Sequence, residues 1–389
     1  MSKIVCLSTT NWHPVPTRKQ QVMGRLTGHR VLYFEPPVSR AAPFKDPAAA
    51  GRLHAWRGEG EPVAGGRVTV YATPPVWPMY NKYRLVNRLN QRAQARYLRR
   101  VFEAHGFENP LLWCYSPTAA DVVDRLPHRA LVYDCVDRHS AYGGLMTPAV
   151  VDAMEADLAA KADVVFATAQ GLCERLKVYN KNTYLIPNGV HFELFHRVAS
   201  EQDLPFPDEL FQIKNPIFGF VGMIQPCVDC ALLLAVAHAR PGWSFVLVGA
   251  PLPGVDVAPL QAQPNIHLVG LKPHKELPHY LARFDVCLNL FQAGALAQDV
   301  SPLKFYEYLA TGRPIVSTSQ PDQVRDFADA VYIADGPEAF IAACEKALAE
   351  RGTWRQRQRI AYGRAASWDA RVQQMTDILG RHGIFEDRL

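Results

Sequence analysis

Short apolar runs rich in β-branched and aromatic residues alternate along the chain with stretches whose apolar positions recur at helical spacing. This alternation predicts parallel strands joined by crossover helices. In the first half it predicts strands over Lys3–Ser8, Arg30–Phe34, Arg67–Tyr71, Leu111–Tyr115, Ala130–Asp134, Val164–Thr168 and Thr183–Ile186. The pattern lapses between Phe195 and Asn215, where Pro205 and Pro207 sit without a clear period, and this stretch reads as a linker. It restarts with strands over Pro216–Val221, Ser244–Val248, Ile266–Val269, Val286–Leu290, Pro314–Ser317 and Val331–Ile333. Two successive α/β units predict two Rossmann-like domains, residues 1–200 and 201–365, facing a central cleft, since ligands of such sheets bind beyond the carboxyl ends of strands. Residues 366–389 are expected to hold a last helix that packs on one of the two, with a return to the N-terminal domain as one course.

A length of 389 residues exceeds what one hydrophobic core supports, which agrees with two domains. With 48% hydrophobic and 20% charged residues the composition is globular. The opening Met1–Ser8 turns polar at Thr9, so it reads as a strand and not a secretory signal, and no run approaches the roughly 20 apolar residues of a membrane-spanning helix. The eight cysteines are scattered through apolar runs, which points to a reducing cytoplasm. A net charge of +5 without a recognisable motif argues against nucleic acid as partner. The charge is clustered, however: Lys82, Arg84, Arg88, Arg92, Arg96, Arg99 and Arg100 follow one another with no acid between them. Val86, Leu89, Ala93 and Tyr97 recur at helical spacing, predicting a basic amphipathic helix behind the aromatic, proline-rich Pro74–Tyr80.

The segment Gln298–Ser317 carries the most specific chemistry. Asp299 and Glu307 are separated by seven residues, and the chain runs loop, helix, Gly312, strand. That layout leaves free N–H groups from Ser301 to Lys304 at a helix N-terminus, where the dipole favours a diphosphate. Glu307, about two turns into the helix, is placed to accept both hydroxyls of a ribose, and Asp299 to meet sugar hydroxyls. A solvated glutamate on an amphipathic helix is the bland alternative.

This segment resembles the E-x7-E signature of the retaining glycosyltransferase family 4, of GT-B fold, and its relatives in bacterial teichuronic-acid and exopolysaccharide synthesis. Arg18–Gln21 leading into His29–Pro37, Val132–His139, Ile186–Val190, Phe218–Ile224 and Asn265–Leu271 agree with it in order. The resemblance implies a nucleotide diphosphate-sugar donor of UDP or GDP type and a glycan or polyprenyl-diphosphate-linked acceptor; no Asp-x-Asp pair stands in a donor-loop setting, so neither a divalent ion nor a cofactor is expected. It further implies that Glu307 holds the ribose, that the amides of Ser301, Pro302 and Leu303 form the diphosphate turn, that Val269, Gly270 and Leu271 bracket the base, and that Gly222 lets the phosphates approach. Gly249 reads equally as a phosphate-side or a packing glycine.

Three positions depart from the family pattern. Asp299 replaces a glutamate, His191 replaces an aspartate at a hinge, and Gln225–Cys230 replaces the Arg and Lys that neutralise the diphosphate. Lys304 and Arg18, with Lys19 beside it, are the candidates to supply that charge. Cys227 and Cys230 lack a second Cys or His pair at metal spacing, and His13, His54, His274 and His279 are scattered.

For the chemical step, Tyr133–Gly144 follows a strand. Asp137 is the expected base or acceptor-orienting group, with Asp134 and His139 behind it; a helix-capping Asp137 is the alternative. An inverting enzyme needs such a base, whereas a retaining one can use the leaving diphosphate, and both routes are compatible with the sequence. The basic helix, through Arg84, Arg88, Arg92 and Arg96, is expected to meet an anionic membrane surface, giving a cytoplasmic protein peripheral to the inner face of the cell membrane. A GT-B sugar-nucleotide epimerase and a non-catalytic sugar-nucleotide binder are the competing functions.

Overall fold

A computed structural model describes residues 2–385 apart from 15, 45, 142, 143, 202, 295 and 296. It divides into two compact units, Met1–Pro187 with Val372–Leu389, and Asn188–Arg371. Residues 386–389, the end of the expected last segment, lie outside the described residues.

In the first unit, β1 (Lys3–Leu7), β2 (Arg30–Phe34), β3 (Glu61–Val63), β4 (Val68–Tyr71), β5 (Leu111–Cys114), β6 (Ala130–Cys135), β7 (Val164–Ala167) and β8 (Thr183–Leu185) form one sheet in the order β3-β4-β2-β1-β5-β6-β7-β8. All neighbours pair in parallel except β3 and β4, which are antiparallel. β5, β6 and β7 are buried along their whole length, as strands covered on both faces must be. The order reverses between β1 and β5, and the carboxyl ends there diverge into an open crevice.

The second unit contains β9 (Ile217–Val221), β10 (Ser244–Val248), β11 (Ile266–Gly270), β12 (Val286–Asn289), β13 (Ile315–Ser317) and β14 (Tyr332–Ile333), ordered β11-β10-β9-β12-β13-β14. This is the doubly wound arrangement, with its reversal between β9 and β12. The hydroxyl of Tyr308, on the helix Leu303–Thr311, accepts the N–H of Val221 at 2.7 Å and so fixes that helix against the end of β9.

The expected linker is not one. Phe192–Ser200 is a helix whose Phe192 and Phe195 enter the core of the second unit, which puts the division at Pro187/Asn188 instead of residue 200. Its ends and flanks are polar, with Glu193 and Ser200 exposed and His196 stacked on Phe192, so the apolar positions do not stand out in sequence. The helix Trp368–Arg381 starts in the second unit and belongs to the first from Val372 onward.

The helix Arg84–Ala104 forms, but its buried stripe is not Val86, Leu89, Ala93 and Tyr97. Asn87, Asn90, Gln91, Gln94, Ala95, Leu98, Val101 and Phe102 are buried, while Leu89 is 52% exposed. Hydrogen bonding decides the rotation. The side chain of Asn90 accepts the N–H of Trp77 and donates to the carbonyl of the same residue, Gln94 donates to the carbonyl of Pro74, and Asn87 donates to Thr118 O and Asp121. The proline-rich loop has no sheet partner for those backbone groups, and buried amides supply one.

Candidate active site

In the second unit, near the reversal between β9 and β12, Lys304 and Glu307 stand on the helix Leu303–Thr311, and Lys304 reaches Gly222 beyond the end of β9. Pro302 caps the helix Leu303–Thr311 and Gly312, in the left-handed conformation, ends it. Glu307 is therefore the fifth helical residue, nearer the N-terminus than the two turns expected. The first-turn N–H groups of Leu303 and Lys304 have no partner within the helix and point out of its end. Ser301, buried, accepts the N–H of Asn188 on its hydroxyl at 3.1 Å and the Asn188 amide on its carbonyl at 2.9 Å, so it anchors the turn. Asp299 is also buried, at the end of a short 3-10 turn. Val269 and Gly270 close β11, and Leu271 beyond them is 69% exposed.

Gly222 has φ +133°, and a Cβ there would lie 3.0 Å from the Lys304 Nζ. The absent side chain is what admits the lysine. At Gly249 a Cβ would fall 2.0 Å from the Gly222 carbonyl oxygen, so that glycine serves close packing of the β9 and β10 ends. The Lys304 Nζ lies 3.8 Å from the centre of the Phe220 ring and 5.5 Å from that of Phe291. Burial lowers its pKa to about 8, against the opposing pull of Cys227 and Glu307. Asp229 caps the helix Cys230–Ala239 by accepting the N–H of Leu232. The Cys227–Cys230 stretch is thus a loop and helix start, and among the described residues no group of three His, Cys, Asp or Glu stands where it could hold a metal ion.

His274 is the neighbour of Glu307 that the sequence did not point to. Its Nε2 lies 2.8 Å from Glu307 Oε1, and Phe195 packs edge-on to its ring at 5.2 Å. Burial opposes its charge, but the bond to Glu307 and the charge of that carboxylate outweigh it, so the pKa is raised. A histidine 33 residues from its partner leaves no local pattern. A folded-state pKa above the unfolded one contributes stability that is full below about pH 6.5 and lost as pH climbs through the raised value. His274→Asn is accordingly expected to lower the urea midpoint more at pH 6 than at pH 8.5; equal losses at both pH values would show that the pair carries no charge.

In the first unit the crevice between β1 and β5 holds a cavity of about 370 Å³, within the usual range for a ligand site. Lys19, Asp137, His139, Gln91 and Gln94 line it. Lys19 is buried, its Nζ 5.7 Å from the centre of the Tyr115 ring, and burial lowers its pKa against the attraction of Asp137 and Asp134. Burial likewise lowers that of His139.

Asp134 and Arg18 do not join this group. Asp134 is fully buried and accepts Arg18 Nε on both carboxylate oxygens at 3.0 Å, Arg18 Nη2 stands 3.0 Å from Oδ1 as an ion pair, and Arg18 Nη1 donates to Pro187 O. Arg18 is 2% exposed, and both it and Asp134 are engaged in that pair and do not line the cavity. Of the four arginines expected to face a membrane, Arg84 is turned inward to Asp121 and Asp157, and Arg88 lies 3.7 Å from Asp121; Arg92 and Arg96 are exposed.

The fold is that of the GT-B structures, and residues 215–350, which include the site at the end of β9, match the family model described as glycosyl transferases group 1. A teichuronic acid biosynthesis glycosyltransferase, TuaH of Bacillus subtilis strain 168, is 29% identical over 269 residues, 64% of this chain and 66% of its own length, just under two thirds of that relative. Among solved structures, sucrose-phosphate synthase of Thermosynechococcus elongatus superposes with a TM-score of 0.71 at 15% identity, over 98% of this chain and 99% of that one. HepE of Anabaena, solved with UDP, does so with a TM-score of 0.65 at 16% identity, over 98% and 100%. No helix of the described residues is long and apolar enough to cross a membrane.

Proposed function

We propose that the protein transfers a sugar from a UDP- or GDP-linked donor to a glycan or polyprenyl-diphosphate-linked acceptor in the synthesis of a bacterial surface polysaccharide. The observation that carries this reading is the grouping of Gly222, Lys304 and Glu307 at the strand-order reversal of the group 1 domain. There the N-terminus of the helix Leu303–Thr311 and the Lys304 ammonium take the diphosphate, and Glu307, released from His274, takes the ribose hydroxyls. The charge of the leaving group is met by lysine and helix dipole, in a chain without an Asp-x-Asp donor loop. A UDP donor is favoured by HepE, which was solved with UDP and with UDP-glucose, and a teichuronic-type polysaccharide by the name of TuaH.

The acceptor hydroxyl is taken in the cavity lined by Asp137, His139 and Lys19. Asp137 orients it or removes its proton, within hydrogen-bond reach of the reacting oxygen. The exposed part of the basic helix holds the protein at the inner face of the cell membrane, where a lipid-linked acceptor is presented. Glu307→Ala is expected to weaken donor binding by about tenfold to a hundredfold, the cost of losing hydrogen bonds to a charged group. Asp137→Ala is expected to leave donor binding intact and lower transfer by about a hundredfold or more. Isothermal titration with UDP and GDP, and transfer assays with each donor sugar, read the two separately. A chain that interconverts a UDP-sugar without any acceptor would be an epimerase instead.

A further inference from the structure

A second cavity of the first unit lies along the face of the helix Arg84–Ala104 that carries Ala93, Arg96 and Arg100. Its volume is about 610 Å³. Arg40, Arg57, Arg96 and Arg100 line it with His54, and among the described residues no carboxylate does.

The helix is neutralised on one flank only. Arg84 pairs with Asp121 and Asp157, and Arg88 approaches Asp121. Around the groove, Arg40 and Arg57, from two separate places in the segment before β3, add two more arginines, and among the described residues that line it there is no acid. Like charges gathered without counter-charge repel, and a ligand bearing the opposite charge relieves that cost. The Arg40 guanidinium lies 4.5 Å from the centre of the Trp77 ring, and that of Arg57 lies 5.4 Å from the Trp56 ring. Stacking holds the planar groups in place while leaving their N–H edges to fork onto phosphate oxygens.

The groove also has an apolar side. Leu53, Trp56, Pro74, Pro75 and Tyr97 form its wall. Toward the helix N-terminus, Ala93, Leu89 and Leu85 continue the stripe that carries Arg96 and Arg100, with Leu89 52% and Leu85 68% exposed, and Trp77 nearby is 57% exposed. Exposed leucines and a tryptophan next to an arginine cluster suit a ligand that is anionic at its head and apolar beyond it.

We infer that this groove is a headgroup site for an anionic phospholipid, in which Arg40, Arg57, Arg96 and Arg100 hold the phosphate while Leu85, Leu89 and Trp77 enter the lipid surface. The inference rests on the membrane-surface reading above and sharpens it from a charged face to a defined site.

Sedimentation of the full chain with phosphatidylcholine vesicles, with and without phosphatidylglycerol, tests it. The pair Arg57→Gln with Arg100→Gln is compared with Lys82→Gln with Arg92→Gln, which removes the same charge from the exposed surface outside the groove. The groove pair is expected to weaken binding to the anionic vesicles about tenfold more than the outside pair, which loses only general attraction. Arg57→Gln alone is expected to act in the same direction, and thermal unfolding confirms that each variant is folded. Equal losses from both pairs would overturn the groove and leave the membrane-surface reading standing. A wild-type chain that ignores anionic vesicles would overturn both. Tryptophan fluorescence that saturates equally with inorganic phosphate and with a short-chain phosphatidylglycerol would assign the site to free phosphate, and groove-dependent binding of single-stranded RNA without vesicle binding would assign it to nucleic acid. Either result overturns the proposal.

Discussion

Replacing Lys304 by methionine is expected to weaken UDP binding by about one to two orders of magnitude at pH 7, the cost of losing charge-assisted contacts to a diphosphate. The same substitution is expected to flatten the pH dependence of binding. In the free protein, burial beside Phe220 and the open face of Gly222 brings the Lys304 pKa down to about 8. A lysine whose folded pKa lies below its unfolded value costs the folded state stability; that cost is full below about pH 8 and fades as pH rises toward the unfolded value near 10.4. A bound diphosphate offsets it by pairing with the ammonium, which raises the pKa in the complex. Binding is then coupled to uptake of one proton above pH 8, so UDP affinity is expected to fall by up to about tenfold per pH unit from there. Calorimetry from pH 6.5 to 9.5, in buffers of different ionisation enthalpy, reads the affinity and the proton together. An affinity that stays level across pH 8, or is unmoved by Lys304→Met, would place the diphosphate elsewhere.

The second large effect is on stability and separates Asp134 from the chemistry. Asp134→Ala is expected to destabilise the first unit by about 3–5 kcal/mol, because it leaves the buried Arg18 guanidinium without its counter-charge. In a unit of this size each kcal/mol is worth roughly 2–4 °C, so its melting transition should drop by on the order of 10 °C. Combining Arg18→Met with Asp134→Leu removes both charges and is expected to recover most of the loss, since apolar pairs of similar volume replace buried ion pairs at little cost. Differential scanning calorimetry checks both variants. A single Asp134 variant as stable as the parent yet without transfer activity would return Asp134 to the reaction.

The two aspartates show how far a motif reaches. Asp134 and Asp137 stand three positions apart at the end of one strand, and by residue type alone they are interchangeable. Alternation across the pleat turns Asp134 of β6 toward Arg18, while the chain past Cys135 opens into the cavity at the β1–β5 reversal. Burial and partner then give one carboxylate a structural task and leave the other facing a ligand site. Lys19, next to Arg18, is likewise sorted from its neighbour by which face of its short helix meets the cavity.

Repeated β-branched runs were enough to locate nearly all the strands, because parallel strands buried on both faces must be apolar throughout. They missed β3, three residues at an antiparallel edge with one partner, where packing asks little of the sequence. Glycine at 222, glutamate at 307 and the helix start between them were also legible, since a close approach, a charge and a free helix end each require particular residue types at short spacing.

Tertiary structure alone decided the rest. It turned the helix Arg84–Ala104 so that amides, not leucines, face inward, because the proline-rich loop had backbone groups to satisfy. It joined His274 to Glu307, paired Arg18 with Asp134, and left four arginines around one groove without an acid. Local propensity and periodicity act over a few residues and are written in the sequence. Partners of buried polar groups come from segments tens or hundreds of residues away, and are chosen only when the sheets have closed and each charge must find its counterpart.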